Sequence, residues 1–493
     1  MKAVVIGGGL AGITAAVALA SAGADVTLLE AKPRLGGATM SFSRDGLVVD
    51  TGQHVFLRCC TAYRGLLDRL GMAAHAPLQP RFDVTVLSPG GRARLRRAKA
   101  PAPLHLGSTL ARYNVLSFPE RIKATRAALA FRGVDPADPE ADATRLGDWM
   151  AARGQSEHAR RALWDLFTVA TLNVPGDDAS LALAAKVVRT GLLEDSGAAD
   201  IGVPALSLGE LHGAAAQRKL GSLGADVRLN TKVTGIEVTG ASRFTVSLAR
   251  SEEGLEADAV VLAVPHDAAA KLIPPGALPE PTVSGWSGLG AAPIVNVHVI
   301  YDRKVMDLPF AAAVDSPVQW VFDRTRISGM HARGDDGQYL AISLSAADEY
   351  VDQSVAELRE RFVSALAEVL PAARDARVRE FFVTRERRAT FRQVPGSARL
   401  RPPAATGLPG LVLAGSWTDT GWPDTMEGAV RSGLNAVRAL RAAGAARAGA
   451  SADFAGTISD ISGLDLSGDN GDAVNAVIRP TDEPVDVEEE VRP

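Results

Sequence analysis

Short apolar runs separated by glycine-rich turns mark the first 30 residues of the chain. Residues 2–6 form a β-branched run, residues 10–22 are small and mostly apolar, and residues 25–29 form a second apolar run. The two short runs predict strands, and the alanine-rich stretch between them predicts a helix. The chain therefore opens with a predicted strand, helix and strand.

Three later runs have the same strand-like character but lie far apart in the sequence. They are found at 226–229, 257–264 and 411–414. We interpret them as strands of the same α/β domain, which the chain would assemble from separated segments. The predicted segments of this first domain are 1–80, 206–277 and 401–445.

The two long segments between these pieces form the predicted second domain, of mixed α+β character. Segment 81–205 is rich in Ala, Leu and Arg and predicts mainly helices. Segment 278–400 contains alternating runs at 294–300 and 339–344 and a helical pattern near 353–370. This second segment predicts a sheet covered by helices.

The last part of the chain differs in composition from the rest. Residues 450–493 contain eleven Asp or Glu against two Arg, and they show no hydrophobic period. This composition predicts a disordered acidic tail at 446–493. The formal net charge of -4 for the whole chain therefore conceals a surplus of positive charge before the tail.

That positive surplus is concentrated in one segment, between Arg92 and Arg126. Nine Arg or Lys residues there face a single acidic residue, Glu120. Two interpretations stay open, a surface that meets anionic lipid head groups and an ordinary solvated surface. Nucleic acid is not favoured as a partner, because aromatic residues make up 5% of the chain and none interleave with the arginines at 92–99.

The overall composition, 46% hydrophobic and 22% charged, is that of a soluble globular protein. The two cysteines, Cys59 and Cys60, are too few for a disulfide framework or a four-ligand zinc site, so no metal is predicted. No apolar run of 18 residues indicates a membrane-spanning helix. The start of the chain imitates a signal peptide that ends at Ala20-Ser21-Ala22, but its three consecutive glycines favour a nucleotide-binding turn, and we expect a cytoplasmic protein.

A G-x-G-x-x-G motif lies where the first predicted strand meets the first predicted helix. In this motif Gly7 permits a tight turn, Gly9 lets the backbone approach a pyrophosphate, and Gly12 allows close packing of helix on strand. Glu30 ends the second strand, where a carboxylate accepts hydrogen bonds from ribose hydroxyls. The motif predicts an adenine dinucleotide site, which also includes Leu10, Ala11 and Ala31.

A second glycine pair, in Arg34-Leu35-Gly36-Gly37, identifies the dinucleotide. This sequence resembles the extended fingerprint of FAD-containing amine oxidases, protoporphyrinogen oxidases and phytoene desaturases, which implies a Rossmann-like FAD-binding domain. The chain contains no second G-x-G-x-x-G, so FAD is the only redox cofactor indicated. The resemblance assigns further FAD contacts to Arg34, Gly36, Gly37, Ala38, Gly52, Gln53, His54, Val233, Ala263, Pro265, Gly415, Ser416, Thr425, Met426, Glu427 and Ala429.

One of these positions departs from the pattern of the superfamily. Leu413-Ala414-Gly415-Ser416 stands where the superfamily carries Ala-Gly-Asp, whose acid usually holds the ribityl chain. Ser416 still offers a hydrogen bond, and Asp419 is a possible substitute for the acid. The ribityl contact therefore stays open.

The resemblance becomes narrower at Asp50-Thr51-Gly52-Gln53-His54 and at 417–423, Trp-Thr-Asp-Thr-Gly-Trp-Pro. These motifs, with Thr171–Pro175 and Val203–Ser207, resemble the hydroxysqualene dehydroxylases, also called squalene-associated FAD-dependent desaturases. The similarity spans residues 1–440. It implies a long-chain isoprenoid substrate, an allylic C30 alcohol, from which hydride of reduced FAD displaces the hydroxyl group to give squalene.

The implied reaction needs an acid near the hydroxyl group and a dry apolar tunnel. His54 is the first candidate for protonating or orienting the hydroxyl, and Gln53 is a candidate for orienting the ring or the substrate. Asp50, Asp424 and Glu427 stay open as alternative acids. Candidate tunnel residues are Trp164, Phe167, Trp320 and Phe391.

Three other functions share this scaffold. A phytoene desaturase or an amine oxidase would use it in the oxidative direction, and a flavin-binding protein would use it without catalysis. The sequence indicates no electron donor. Because a squalene-sized substrate resides in a bilayer, we expect the protein to act at the inner face of a membrane, with the basic stretch from Arg92 to Leu129 as the docking surface.

Overall fold

The computed structural model describes residues 1–240 and 243–448. The predicted tail at 446–493 lies outside the described residues, except for the first few, which continue the last helix. In the described part the strands are β1 (Lys2–Ile6), β2 (Asp25–Leu29), β3 (Ser41–Arg44), β4 (Leu47–Asp50), β5 (Phe56–Leu57), β6 (Asp83–Ser88), β7 (Gly91–Arg96), β8 (Ile201–Gly202), β9 (Asp226–Arg228), β10 (Val233–Gly240), β11 (Arg243–Leu248), β12 (Leu255–Ala257), β13 (Ala259–Leu262), β14 (Ala292–Tyr301), β15 (Phe310–Ala313), β16 (Trp320–Asp323), β17 (Gln338–Leu344), β18 (Val378–Thr390) and β19 (Leu411–Leu413).

The helices are concentrated in the segment between β7 and β9 and at the two ends of the fold. Among the described helices, none is both long enough and apolar enough to cross a bilayer. In chain order they are α1 (Leu10–Ser21), α2 (Thr61–Arg69), α3 (Gly107–Arg112), α4 (Phe118–Ala130), α5 (Pro139–Ala143), α6 (Leu146–Ala151), α7 (Glu157–Ala159), α8 (Asp165–Leu172), α9 (Leu181–Val188), α10 (Ala215–Ser222), α11 (His266–Leu272), α12 (Thr282–Gly285), α13 (Val355–Val369) and α14 (Met426–Ala448).

A parallel sheet takes its strands from three distant parts of the chain, in the order β19, β13, β1, β2 and β9. Alternate residues of β1 point to opposite faces of this sheet. Ala3 and Val5 pack into one hydrophobic cluster, and Val4 and Ile6 pack into another. Because both faces are covered, the central strands consist almost entirely of apolar residues. The three segments whose strands were predicted to belong together therefore meet in one sheet.

Helices α1 and α14 cover one face of this sheet, and the antiparallel strands β10 to β12 cover the other. The two helices lie so close that a Cβ atom on Gly433 would be 2.4 Å from the carbonyl oxygen of Ala11. The single strand predicted at 257–264 is divided into β12 and β13. The division falls at Asp258, whose carboxylate accepts a hydrogen bond from the N–H of Lys2 at 2.8 Å.

A second sheet has the order β18, β14, β17, β16, β15, β6 and β7. The alternating runs predicted at 294–300 and 339–344 are its strands β14 and β17, and the helical pattern near 353–370 is α13, which packs on the sheet. The prediction that 81–205 is mainly helical missed the hairpin of β6 and β7. The period-two pattern of Val84 and Val86 was present in the sequence, but the arginine-rich run that follows obscured it.

Candidate functional site

The glycine motif forms the turn between β1 and α1. Gly7 has a φ angle of 107°, and a Cβ atom there would lie 2.3 Å from the carbonyl oxygen of Ala263. A Cβ atom on Gly12 would lie 1.9 Å from the carbonyl oxygen of Gly7. The protein itself requires these two glycines, because a side chain at either position would collide with the backbone.

Gly9 lies in a different environment. The nearest atom to a Cβ atom built there is the Cα of Gly37, at 3.9 Å, so a Cβ atom at Gly9 would touch the second glycine turn without colliding with it. The first turn of α1, which starts with Leu10 and Ala11, has no side chain capping its N–H groups. Because free N–H groups at a helix N-terminus bind anions, this end of α1 fits the pyrophosphate of FAD.

The carboxylate of Glu30 is held in place at the end of β2. It accepts hydrogen bonds from the N–H groups of Gly8 at 2.7 Å and Lys32 at 2.8 Å. Each oxygen keeps further capacity to accept a hydrogen bond, so the group fits ribose hydroxyls. The N–H of Thr231 donates to the carbonyl of Glu30 at 2.8 Å, which places the start of β10, with Val233, beside the same region.

A second turn packs against the first. A Cβ atom on Gly37 would lie 2.9 Å from the Cα of Gly9, and the N–H of Gly36 donates to the carbonyl of Gly8 at 2.8 Å. Arg34 is exposed, and its guanidinium contacts the sulfur of Met40. The turn brings the two predicted glycine motifs together. The other predicted contacts in this turn, Ala31 and Ala38, are exposed.

The third part of the site follows β19, where Gly415 has a φ angle of 138°. The hydroxyl of Ser416 hydrogen-bonds the carboxylate of Asp424, which also accepts from the N–H of Phe391 at 2.8 Å. Burial raises the pKa of Asp424. Asp419 is exposed and accepts a hydrogen bond from the backbone of its own turn. Asp424, rather than the proposed substitute Asp419, is therefore the carboxylate beside Ser416.

The helix α14 begins next to this turn, and the hydroxyl of Thr425 accepts a hydrogen bond from an N–H of its first turn. Glu427 is buried, and its carboxylate accepts from two N–H groups at the start of α2, at 3.1 and 2.7 Å. It also pairs with Arg431 at 2.7 Å. These bonds hold the carboxyl group of Glu427 as a cap of α2, and burial raises its pKa. Met426 and Ala429 lie in the same turn of α14 and pack against the core.

Between β4 and β5, a loop carries Gln53 and His54. It is tied to the second glycine turn, because the hydroxyl of Thr51 donates to the carbonyl of Ala38 at 2.8 Å. On its other side, the amide nitrogen of Asn296 in β14 donates to the carbonyl of Thr51 at 2.9 Å. The loop therefore joins the dinucleotide region to the second sheet.

Four polar atoms of this region are buried without a hydrogen-bond partner. They are Oε1 of Gln53, Nδ1 of His54, Nδ1 of His212 and Oδ1 of Asn296. Two of these side chains lie close together, because a Cβ atom on Gly52 would be 2.9 Å from Cε1 of His54 and 3.9 Å from Nδ2 of Asn296. Buried polar atoms normally have partners. These atoms fit a bound molecule that supplies them, either the FAD ring or a polar substrate.

The titratable groups around the loop are held uncharged. Burial lowers the pKa of His54, and although nearby Asp50 raises it, the net direction is downward. Burial and the proximity of His54 lower the pKa of His212 to about 3. The Nε2 atom of His212 lies 2.8 Å from the hydroxyl of Tyr63, whose pKa burial raises. Both imidazoles and the phenol are therefore neutral near pH 7.

Asp50 is buried with both carboxylate oxygens in use. Oδ1 accepts from the hydroxyl of Ser41 and from the N–H of Leu208, the latter at 3.0 Å. Oδ2 pairs with the buried guanidinium of Arg324. Asp50 was predicted as a catalytic residue, but its carboxylate fixes the end of β4 and does not offer a free acid.

Two of the predicted tunnel residues are part of the packed core. Trp164 packs with Phe131, and Phe391 is buried in the cluster beneath the parallel sheet. Phe167 and Trp320 are partly buried, at the edge of the cluster that contains Trp164. These two are the predicted tunnel residues with part of the side chain exposed.

Sequence reasoning missed Asn296, Arg324, Tyr63 and His212. For Asn296 a signal existed, because it and His298 are polar residues at alternate positions of an otherwise apolar strand. For the other three residues no local signal existed. Their partners lie far away in the sequence.

Comparisons with known proteins identify the family and the fold. A family model described as flavin containing amine oxidoreductase matches residues 10–441. A hydroxysqualene dehydroxylase of Rhodopseudomonas palustris is 29% identical over 460 residues, 90% of this chain and 99% of that protein. A 15-cis-phytoene desaturase of Glycine max is 25% identical over 462 residues, 89% of this chain and 79% of that protein. The structure of cyclohexylamine oxidase from Brevibacterium oxydans has the same fold, with a TM-score of 0.66, 21% identity and coverage of 89% of this chain and 98% of that one.

Proposed function

Because this chain belongs to the flavin containing amine oxidoreductase family and has FAD as its cofactor, we propose that it removes the hydroxyl group of hydroxysqualene and forms squalene. In the balanced reaction, hydroxysqualene and reduced FAD give squalene, water and oxidised FAD. When bound, reduced FAD supplies the hydride for the allylic carbon. The match along almost the full length of a hydroxysqualene dehydroxylase supports this assignment.

The observation that carries the proposal is the neutral character of the polar groups around the loop. The carboxylates of Asp50 and Glu427 are already bonded to cations and backbone N–H groups. Around the loop, the buried atoms still without a partner belong to Gln53, His54, His212 and Asn296, and all four side chains are neutral near pH 7. Such groups suit a neutral alcohol, whereas a cationic amine needs a carboxylate or an aromatic cage.

His54 has a specific role in this proposal. A neutral imidazole holds the substrate hydroxyl by a hydrogen bond and does not deliver a proton as an imidazolium ion would. In a buried site this bond fixes the direction in which the leaving oxygen points. Of the two roles considered for His54, orienting the hydroxyl therefore fits the burial of the ring.

We expect one turnover under anaerobic conditions to identify the reaction. The full-length protein is loaded with FAD, photoreduced, and mixed with hydroxysqualene in detergent, while the flavin absorbance and the extracted products are followed. Reoxidation of FAD with about one squalene formed per flavin supports the proposal. Oxidised protein that desaturates phytoene, or that oxidises putrescine or cyclohexylamine, would instead assign the chain to an oxidative function.

Replacing His54 by Ala should lower the turnover number at least about tenfold while the bound FAD is retained. Because burial lowers the pKa of the imidazole below its ordinary value and keeps it neutral near pH 7, the ratio of wild-type to variant rates should stay constant as the pH rises from about 7 to about 8. Turnover under anaerobic conditions, measured across this pH range together with the flavin content, checks both statements.

The variant His54→Gln is the matched control, because its amide still offers a neutral hydrogen bond. It should keep more activity than His54→Ala. An activity of His54→Ala equal to that of the wild type would remove His54 from the reaction. If the wild-type rate falls with rising pH, and if His54→Gln is as inactive as His54→Ala, His54 acts instead as an acid in its imidazolium form.

A further inference from the structure

Helix α4 exposes large apolar side chains to solvent. Phe118 is 68% exposed, Leu129 47% and Ile122 40%. Leu104, which is 70% exposed, lies just before α3, and α3 packs against α4. Exposed large apolar side chains are scattered singly elsewhere in the described residues, but here they are grouped. We call the three residues on α4, Phe118, Ile122 and Leu129, the apolar stripe.

The stripe on α4 lies opposite the buried face of that helix. At 100° per residue, Phe118, Ile122 and Leu129 fall within about 40° of one another. The side chains that α4 buries are Ala124 and Ala127, which project from the other side. The exposed apolar residues therefore point away from the core and do not contribute to it.

The helix that presents the stripe is firmly anchored. Ser117 and Glu120 form a capping box at its start. The carboxylate of Glu120 also accepts hydrogen bonds from Ser156 at 2.5 Å and from His158 at 3.2 Å, and these bonds lower its pKa to about 2. Because the start of α4 is fixed to a neighbouring helix, the exposure of the stripe is a property of the folded protein.

Cations flank the stripe on both sides. Arg126 borders it on one side along α4, with Lys123 farther round the helix near Gly154, and Arg121 lies on the other side, with its guanidinium 5.8 Å from the ring of Phe118. Some of the predicted surplus charge is neutralised, because Arg94 and Arg96 pair with Asp83 and Arg97 pairs with Asp200. Within the described residues, the cations of this region without a carboxylate partner include Arg92, Lys99, Arg112, Lys123 and Arg126.

We propose that the apolar stripe and its flanking cations dock the protein on an anionic lipid bilayer, with the side chains of Phe118, Ile122 and Leu129 inserted among the head groups. An apolar face bordered by Lys and Arg is the pattern of a helix that lies in a membrane interface. A second copy of this chain fits this surface less well, because the flanking cations of the two copies would repel each other. The proposal does not depend on the reaction that the protein catalyses.

Vesicle binding by the full-length, FAD-loaded protein tests this surface. The wild type should bind vesicles of phosphatidylcholine with about 30% phosphatidylglycerol at least about tenfold more tightly than vesicles of phosphatidylcholine alone. The double variant Lys123→Glu, Arg126→Glu should lose at least about tenfold of this binding, since each basic residue near an anionic surface contributes several-fold. Raising the salt concentration from about 0.05 to 0.5 M should also weaken the binding of the wild-type protein to these vesicles.

The apolar part needs its own variant. The triple variant Phe118→Ser, Ile122→Ser, Leu129→Ser should bind vesicles at least about tenfold more weakly at either salt concentration, because insertion of apolar side chains is not screened by ions. Matched controls change exposed residues elsewhere in the described part of the chain, Val238→Ser with Val355→Ser for the stripe and Arg218→Glu with Lys271→Glu for the cations. These controls should bind as the wild type does.

Three results would overturn the proposal. Binding that is indifferent to lipid charge, or stripe variants that bind as well as their controls, would show that another surface or none is used. Self-association in sedimentation velocity that the stripe variant abolishes, without vesicle binding by the wild type, would assign the stripe to a second copy. FAD content confirms in each case that the variant is folded, and a failed squalene assay leaves this test unaffected.

Discussion

Replacing Gly9 by Val should abolish FAD binding while the fold stays intact. A Cβ atom at Gly9 clashes with no protein atom, since the nearest one, the Cα of Gly37, is 3.9 Å away, at ordinary contact distance. The valine side chain, however, fills the space through which the backbone approaches the pyrophosphate. We expect the affinity for FAD to fall at least about 100-fold, an effect of about 2.7 kcal/mol.

The measurement has two parts. FAD titration of the apoprotein gives the affinity, and thermal unfolding of the apoprotein followed by circular dichroism gives the stability. Gly9→Val apoprotein should unfold at the same temperature as wild-type apoprotein. The control Gly65→Val changes an exposed glycine of α2 with open space around it, and it should keep both FAD and stability.

Gly12 provides the opposite comparison. Its Cβ would lie 1.9 Å from the carbonyl oxygen of Gly7, so even Gly12→Ala forces the turn apart and should lower the unfolding temperature of the apoprotein. The same motif therefore contains a glycine required for FAD binding, Gly9, and a glycine required for the fold, Gly12. The FAD affinity and the unfolding temperature of the apoprotein separate these two requirements. A yellow Gly9→Val protein with normal affinity would mean that the turn at Gly9 does not hold the pyrophosphate.

The elements that the sequence predicted well are those set by local pattern. Strands β1 and β2, helix α1 and helix α13 each have a hydrophobic period or a glycine turn within a few residues. The joining of distant strands into one sheet was predictable because short, almost wholly apolar strands are typical of a parallel sheet whose two faces are both covered. These inferences required no knowledge of side-chain partners.

The roles of the acidic residues could not be predicted in this way. The partner of Asp50 is Arg324, 274 positions later, and that of Glu427 is the start of α2, 364 positions earlier. No local pattern announces a pair at such a separation. Part of the arginine surplus after residue 92 is neutralised in the fold by Asp83 and Asp200, and the composition alone did not show which of these cations are paired.

The polar chemistry of the site follows from these distant pairs. Once Asp50 and Glu427 are occupied, and burial holds His54 and His212 neutral, the groups left to meet a bound molecule carry no charge. A substrate that is a neutral alcohol needs no charged partner, whereas an isolated charge there would be strongly unfavourable. The arrangement of the site thus depends on the Asp50–Arg324 pair remaining intact.

Replacing Asp50 by Asn should lower the free energy of unfolding by about 3–5 kcal/mol, since it leaves the buried guanidinium of Arg324 without its carboxylate. The double variant Asp50→Asn, Arg324→Leu removes that unpaired charge and should recover part of the loss. Denaturant unfolding of the two single variants and the double variant gives the coupling between the residues.

The matched control is an ion pair on the surface, Arg387 with Asp352 at 2.8 Å, whose side chains are 61% and 77% exposed. Asp352→Asn should have little effect, because water already screens that pair. If Asp50→Asn were as stable as Asp352→Asn, the buried pair would not be what holds β4. If the double variant were no more stable than Asp50→Asn alone, the loss would come from the bonds to Ser41 and Leu208, because these are the other contacts of that carboxylate.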